Sequence, residues 1–281
     1  MWSMIQVVDG KKIAEEILSG LKIEIQNLGF IPKLVVILVG QNPASLSYIK
    51  TKQKMAENIG IAVGLKNYSE DISQTALETE IRSLNSDPLV NGIIVQLPLP
   101  AQFDRNGVLN AVEPRLDVDC LTATNIARLA AAKPLYLPPA AAAVMAILEH
   151  YKIDLKHKSI LLVGSGDLIG KPLAAILKNK NISFKIANRE TPDLGRITAE
   201  SDIIVTGVGK PGLITGNMVK AGAVVIDAGT TGSENGQILG DVAVQSVLEK
   251  VALLAPVPGG VGPVTVAMLL ANLVHSAKFS H

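Results

Sequence analysis

The 281-residue chain sets 26 Lys and Arg against 25 Asp and Glu, a formal net charge of +1, so it offers neither a nucleic-acid footprint nor a polybasic membrane surface. Hydrophobic residues make up 48% but aromatic ones only 3%, so the core is aliphatic, as in a parallel sheet buried on both faces. Cys120 is the only cysteine; an intramolecular disulfide is excluded and a reducing, cytoplasmic setting is expected.

At the N-terminus Asp9, Lys11 and Lys12 arrive before an apolar signal region could form. Short β-branched runs then alternate with helical patterns, the pattern of a parallel α/β architecture. The first half predicts strands at 34–39, 61–65 and 92–97. Between the first two lies a helix that Asn42 can cap, with Pro43 at its first position and Gly60 at its end. Tyr48 and Lys52 stand four apart on that helix and share a face; in isolation the two read as an ordinary surface pair. Short-chain dehydrogenases use the same spacing, but their glycine loop precedes it, and here a glycine loop comes over a hundred residues later.

The strand at 92–97 ends on Gln96, and Pro98 and Pro100 stiffen its exit. The carboxyl ends of parallel strands are where such folds place ligands. Asp117-Val118-Asp119 follows in a loop that by itself reads as a solvated turn. Residues 121–150 are alanine-rich and mostly helical, broken between Pro134 and Pro139, and read as the connection between two lobes. The uncharged stretch 134–148 is too short for a membrane span, and 251–277 is broken by Pro256-Val257-Pro258-Gly259-Gly260-Val261-Gly262-Pro263. A soluble chain is expected.

The second half predicts strands at 159–163, 183–187, 203–206 and 224–227, and a last helix over 263–278 that folds back onto the first lobe. The first of these strands runs into Gly164-Ser165-Gly166-Asp167-Leu168-Ile169-Gly170. Glycines in such a loop let the backbone turn tightly and bring N–H groups at a helix N-terminus onto a pyrophosphate. The third glycine falls one residue later than in the usual fingerprint, but a strand before, a helix after and three further strands favour a dinucleotide site. After the next strand comes Asn188-Arg189-Glu190; Arg189 suits the 2′-phosphate of NADP, while Glu190 leaves NAD open. The Pro256–Pro263 loop is a rigid turn or a close approach to a flat ligand.

Taken together and in this order, these residues resemble the bifunctional methylenetetrahydrofolate dehydrogenase/methenyltetrahydrofolate cyclohydrolase family. The likeness runs from Val8-Asp9-Gly10-Lys11 to the last helix. It is most specific at Asn42-Pro43-Ala44-Ser45 with Tyr48 and Lys52, at 95–100, at Asp117-Val118-Asp119, at Val208-Gly209-Lys210-Pro211-Gly212 and at Pro256–Pro263. The resemblance implies a cytoplasmic homodimer that oxidises methylenetetrahydrofolate with NADP and hydrolyses the methenyl product to 10-formyltetrahydrofolate. Its one-carbon units would serve purine, histidine and methionine biosynthesis. It implies a folate-binding catalytic domain over 1–122, completed by 263–281, and a Rossmann-like NAD(P) domain over 140–262. By resemblance Lys52 is the catalytic lysine, Gln96 tunes it, Tyr48 packs on the folate and Asp119 holds the pterin. Leu97, Pro98, Pro258, Gly259 and Gly260 complete the substrate contacts. Residues 164–170, Arg189, Gly207, Val208, Gly209 and Thr230 hold the cofactor, and no metal is expected. The chain departs from the family at Cys120, which replaces a glycine, and at Ala140, Ala141 and Ala143, which replace residues of a Cys-Thr-Pro segment and its following glycine; Thr230-Thr231 and Ala255 differ as well.

Two rivals fit less of the chain. A two-lobe dehydrogenase of shikimate or amino-acid type explains the glycine loop but not Gln96, Asp119 and the Pro-Gly loop together. A non-enzymatic homologue that senses folate or dinucleotide would account for the alanine substitutions.

Overall fold

The structure, a computed structural model, describes residues 5–232 and 237–279. In chain order the first elements are β1 (Gln6–Val7), α1 (Gly10–Gln26), β2 (Lys33–Val39), α2 (Pro43–Asn58), β3 (Ala62–Tyr68), α3 (Gln74–Asn85) and β4 (Gly92–Val95). Three helices follow: α4 (Arg105–Asn110), α5 (Ala123–Ala130) and α6 (Pro139–His150). Then come β5 (Ile160–Val163), α7 (Gly170–Asn179), β6 (Lys185–Ala187), α8 (Leu194–Ala199), β7 (Ile203–Thr206) and β8 (Val224–Asp227). The chain continues through β9 (Thr231–Gly232), β10 (Ile238–Leu239), α9 (Val244–Val247), β11 (Leu253–Ala255) and α10 (Val261–Ala277). It forms two compact units, one of Glu15–Pro139 with Val266–His281, the other of Met1–Ala14 with Ala140–Thr265. The expected parallel α/β class is observed, and no helix among the described residues is long and apolar enough to cross a membrane.

In the unit of Glu15–Pro139 the sheet order is β3-β2-β4, all parallel. Side chains alternate across a strand, and β2 shows why a continuous apolar run is needed. Leu34, Val36 and Leu38 face one core cluster while Val35, Ile37 and Val39 face another. Helix α10 gives Val266, Leu269, Leu270, Leu273 and Val274 to the first cluster, the spacing of a single helical stripe. The last helix therefore returns to this unit, as expected. The opposite cluster takes Leu77, Ile81 and Leu84 from α3. β3 runs to Tyr68, beyond the predicted 61–65, because it pairs with the whole length of β2; its exposed side chains gave the prediction no apolar pattern there. β4 stops at Val95, short of 97. Gln96 N–H still donates to the Ile37 carbonyl at 2.8 Å, but the chain then enters the cis Leu97–Pro98 bond.

The other unit holds a six-stranded parallel sheet of order β1-β11-β8-β7-β5-β6. The N-terminal strand joins it, with Gln6 opposite Leu253 and Val7 opposite Leu254. Residues 1–14, expected with the first lobe, thus group with 140–265. From β5 the chain passes to β6 on one side and β7 on the other. This is the switch point at which doubly wound sheets open a crevice outside their carboxyl ends.

Two fully buried carboxylates brace that edge. Asp227, the last residue of β8, accepts N–H bonds from Gly229 (3.0 Å), Asp241 (3.1 Å) and Val242 (2.9 Å). Asp241 accepts from the Thr206 hydroxyl and from the Val208 and Lys210 amides, each at 2.7 Å. Burial pushes the Asp227 carboxyl up to about 6; the three amides pull against the rise and the Asp241 charge adds to it. A carboxyl with a raised folded pKa binds its proton more tightly in the native chain. Its contribution to stability is therefore full below the unfolded value near 4 and is lost as pH climbs through 6. Between pH 4 and pH 7 the unfolding free energy of the wild type should fall relative to Asp227→Asn by about 2 kcal/mol. Urea titrations at both pH values check this, and parallel pH curves for the two proteins would exclude it.

Candidate active site

Helix α2 starts as the sequence demands: the Asn42 side chain accepts the Ser45 amide at 3.0 Å, and Pro43 fills the first position. Its buried face carries Ser45, Ile49, Lys52 and Ala56. Lys52 is only 4% exposed, on a stripe where packing favours an aliphatic residue. A buried ammonium is costly unless partnered, and this one has an amide oxygen, a ring face and a carboxylate beside it. Lys52 Nζ donates to Gln96 Oε1 at 3.1 Å, lies 4.4 Å above the centroid of the Tyr48 ring, and feels the charge of Asp119. Gln96 is fixed in turn, because its Nε2 donates to the Leu97 carbonyl at 2.8 Å. With the amide nitrogen committed there, only its oxygen can face the lysine.

Burial holds Lys52 below the usual lysine pKa, with Asp119 opposing the shift. It raises the Asp119 carboxyl, against the pull of Lys52 and with a further push from Asp117. The Tyr48 phenol is raised as well, by the protein packed about it and then by Asp119. Tyr48 nonetheless stays 37% exposed.

The two aspartates of Asp117-Val118-Asp119 do different work. Asp117 is buried, and its carboxylate accepts the Leu121 amide (3.0 Å), the Thr122 amide (2.9 Å) and Asn125 Nδ2 (2.9 Å). It ties the loop to the start of α5. From α10, Asn272 Nδ2 donates to the Val118 carbonyl at 2.8 Å. Held from both sides, the loop presents Asp119, and among the described residues none donates a hydrogen bond to its carboxylate. The family likeness singles out Asp119 as the candidate site residue but says nothing of Asp117, whose anchoring contacts only the fold shows.

In the six-stranded unit the cofactor candidates cluster at the carboxyl ends of adjacent strands. Gly164 leaves β5 with φ +103°, and a Cβ on Gly170 would run into the Gly164 carbonyl. These two glycines let the loop fold onto the first turn of α7. Ser165, Gly166, Asp167 and Leu168 are exposed, Ile169 is half-buried, and a Cβ on Gly166 would meet open space. Arg189 is exposed after β6, beside an Asn188 side chain that accepts the Glu190 amide at 2.9 Å. After β7, Gly207 sits against Ile169 and leads to exposed Val208 and Gly209. Thr230 is exposed after β8, and its neighbour Thr231 donates its hydroxyl to the Gly209 carbonyl at 2.9 Å. Open backbone at a switch point, glycines that admit close approach and an exposed arginine after the next strand fit a nicotinamide dinucleotide.

Pro258, Gly259 and Gly260 lie in this same unit, between β11 and α10, whereas Tyr48, Lys52, Gln96, half-buried Leu97, exposed Pro98 and Asp119 lie in the other. The Gly10 amide donates to the Gly259 carbonyl at 2.9 Å, and a Cβ on Gly10 would strike the Gly259 and Gly260 carbonyls. That contact explains a glycine which the sequence offered only as part of Val8-Asp9-Gly10-Lys11.

Comparison with known proteins agrees with this arrangement. Residues 8–119 match the family model of the tetrahydrofolate dehydrogenase/cyclohydrolase catalytic domain, and residues 138–281 match that of its NAD(P)-binding domain. The bifunctional protein FolD of Nautilia profundicola is 42% identical over 275 residues, covering 97% of each chain. The crystal structure of the bifunctional FolD enzyme of Campylobacter jejuni superposes with a TM-score of 0.93 at 38% identity, covering 98% of this chain and 99% of that one. The Trypanosoma brucei enzyme, solved with NADP cofactor and an inhibitor, gives 0.93 at 35% identity over 98% and 97%.

Cys120 completes the Asp119 loop with φ +57°, a left-handed conformation in which a side chain costs about 1–2 kcal/mol. That is the physical reason a glycine suits the position. Its thiol is buried, and burial, then Asp117 and Asp119, hold its pKa above the usual value. A buried, protonated thiol is inert. Iodoacetamide at pH 8 should alkylate the native chain at least about a hundredfold more slowly than the unfolded one. Mass spectrometry checks this; equal rates would show an open thiol.

Proposed function

The chain belongs to the tetrahydrofolate dehydrogenase/cyclohydrolase family, and from that premise we propose how its residues divide the work. It is a methylenetetrahydrofolate dehydrogenase and a methenyltetrahydrofolate cyclohydrolase, with NADP as cofactor and folate as substrate. Residues 1–122 with 263–281 form the folate-binding catalytic domain, apart from 1–14 and 263–265, which group with the other unit, and 140–262 form the NAD(P)-binding domain. The enzyme acts as a cytoplasmic homodimer and feeds one-carbon units to purine, histidine and methionine biosynthesis.

The observation that carries the site assignment is the buried Lys52 ammonium held by Gln96 beside Asp119. In the hydrolytic reaction a water oxygen bonds to the methenyl carbon, the bond from that carbon to N5 breaks, and one proton is released. Lys52, whose pKa burial lowers, takes the proton from the attacking water when it is neutral. Gln96 aims Nζ, and Tyr48 stacks on the folate. The Asp119 carboxylate accepts N–H bonds from the pterin edge. Leu97 and Pro98, and the Pro258-Gly259-Gly260 loop, give further substrate contacts. NADP, when bound, supplies the hydride acceptor for the oxidative reaction. Residues 164–170, Gly207, Val208, Gly209 and Thr230 hold it, and Arg189 pairs with its 2′-phosphate.

Lys52→Met keeps the side chain's bulk but cannot carry a proton. Single-turnover methenyl hydrolysis should fall about 10²–10⁴-fold while folate binding stays measurable. In the wild type the hydrolysis rate should rise with pH to a plateau whose midpoint lies below the ordinary lysine value, and Lys52→Met should lack that midpoint. Hydrolysis by Lys52→Met near the wild-type rate would overturn the assignment. Asp119→Ala should instead lose folate affinity in both reactions.

Arg189→Ala should weaken NADP binding by about tenfold or more and leave NAD nearly untouched. Titrations with both nucleotides check this, and equal losses would mean that Arg189 does not read the 2′-phosphate.

A further inference from the structure

We propose that Asp241 is a positioning residue for the nicotinamide nucleotide: from outside the turn 207–210 it holds that turn in its receiving shape. The proposal rests on the assignment of Gly207, Val208, Gly209 and Thr230 to the cofactor.

Asp241 follows β10 and is fully buried. One carboxylate oxygen accepts the Thr206 hydroxyl and the Val208 amide, and the other accepts the Lys210 amide. The bonded amides alternate along the turn. Val208 and Lys210 point inward to the carboxylate, and Gly209 between them takes φ +73°. Held this way, Val208 stays 39% exposed at the edge of the sheet. No Lys or Arg among the described residues pairs with Asp241, so N–H and O–H donors alone carry its charge, and hydrogen bonds to a charged acceptor are the strong ones. Asp241 is held in turn by the end of β8, because Asp227 accepts the Asp241 and Val242 amides. A Cβ on Gly229 would strike the Asp241 carboxylate, and one on Gly240 would strike Asp227. Backbone and carboxylates leave each other no slack. Two cofactor-side turns, after β7 and after β8, are thus fixed to one pair of acids that never reach the surface.

The test is Asp241→Asn, which keeps the shape but replaces one acceptor oxygen by a donor facing an amide. NADP affinity measured by fluorescence titration should fall about ten- to a hundredfold. That loss should exceed at least tenfold any loss in methenyl hydrolysis measured without nucleotide. Wild-type NADP affinity in the variant would overturn the proposal. Equal losses of affinity and hydrolysis would reduce Asp241 to a general stabiliser and overturn it too. A wild-type protein that binds no NADP would remove the cofactor assignment itself, and that failure is seen before any variant is made. If Asp241→Asn does not fold, hydrogen exchange on the wild type decides. The Val208 and Lys210 amides should exchange more slowly than the Gly209 amide, and slower still with NADP. Exchange as fast as Gly209 would overturn the proposal.

Discussion

A lysine on the apolar face of a helix is a conflict between packing and chemistry, and the folate-side unit is arranged around resolving it. α2 must bury Ile49 and Ala56 to hold its place on the sheet, and that rotation carries Lys52 inward with them. Once inside, the ammonium needs an acceptor that is itself immobile. Gln96 meets the need because it stands just beyond the carboxyl end of β4, with its amide nitrogen already spent on Leu97. The shared register of β2 and β4 fixes where Gln96 stands. A small slip would leave the charge unpaired, at a cost of several kcal/mol. Packing thus enforces the chemistry.

The six-stranded unit solves the opposite problem. Its working edge must stay open, with backbone groups unspent and glycines bare, yet it cannot be allowed to wander. Charge buried beneath the surface provides the rigidity that side chains at the surface would obstruct. Asp227 and Asp241 each gather three donors, most of them from segments 14 or more residues away, so the turns after β7 and β8 are held in common. Asp117 does the same for the Asp119 loop. In both units an aspartate out of reach of solvent shapes the loop that a ligand meets.

The strong periodicities and the candidate site are legible in the sequence, but the weak pairings are not. β2, β4, β5, β7 and β8 announce themselves as aliphatic runs, because each is covered on both faces. β1 and β11 are two and three residues long, too short for any period, and they exist because they pair with each other and with β8. α1 carries its own signal, an Asp9 cap followed by Ile13, Ile17, Leu21 and Ile25, which a reading led by strands passes over. Tyr48, Lys52, Gln96 and Asp119 were legible through the family likeness and the ends of strands. That Asp117 is an anchor, and that Asp241 reaches the turn after β7, depends on contacts between segments up to 35 residues apart, and no local pattern encodes them.

The pairing of β1 with β11 bears on the order in which the chain can be made. A ribosome releases Gln6 and Val7 long before Leu253 and Leu254. The stripe of α10 that closes the core over β2 emerges later still. The folate-side unit therefore waits for a helix made after the whole of the other unit, and β1 waits for a partner strand that is made long after it. Such distant contacts are slow to form because loop closure precedes any reward. A gene divided between residues 139 and 140 would yield two fragments, one lacking the helix that seals its core and the other lacking the first strand of its sheet.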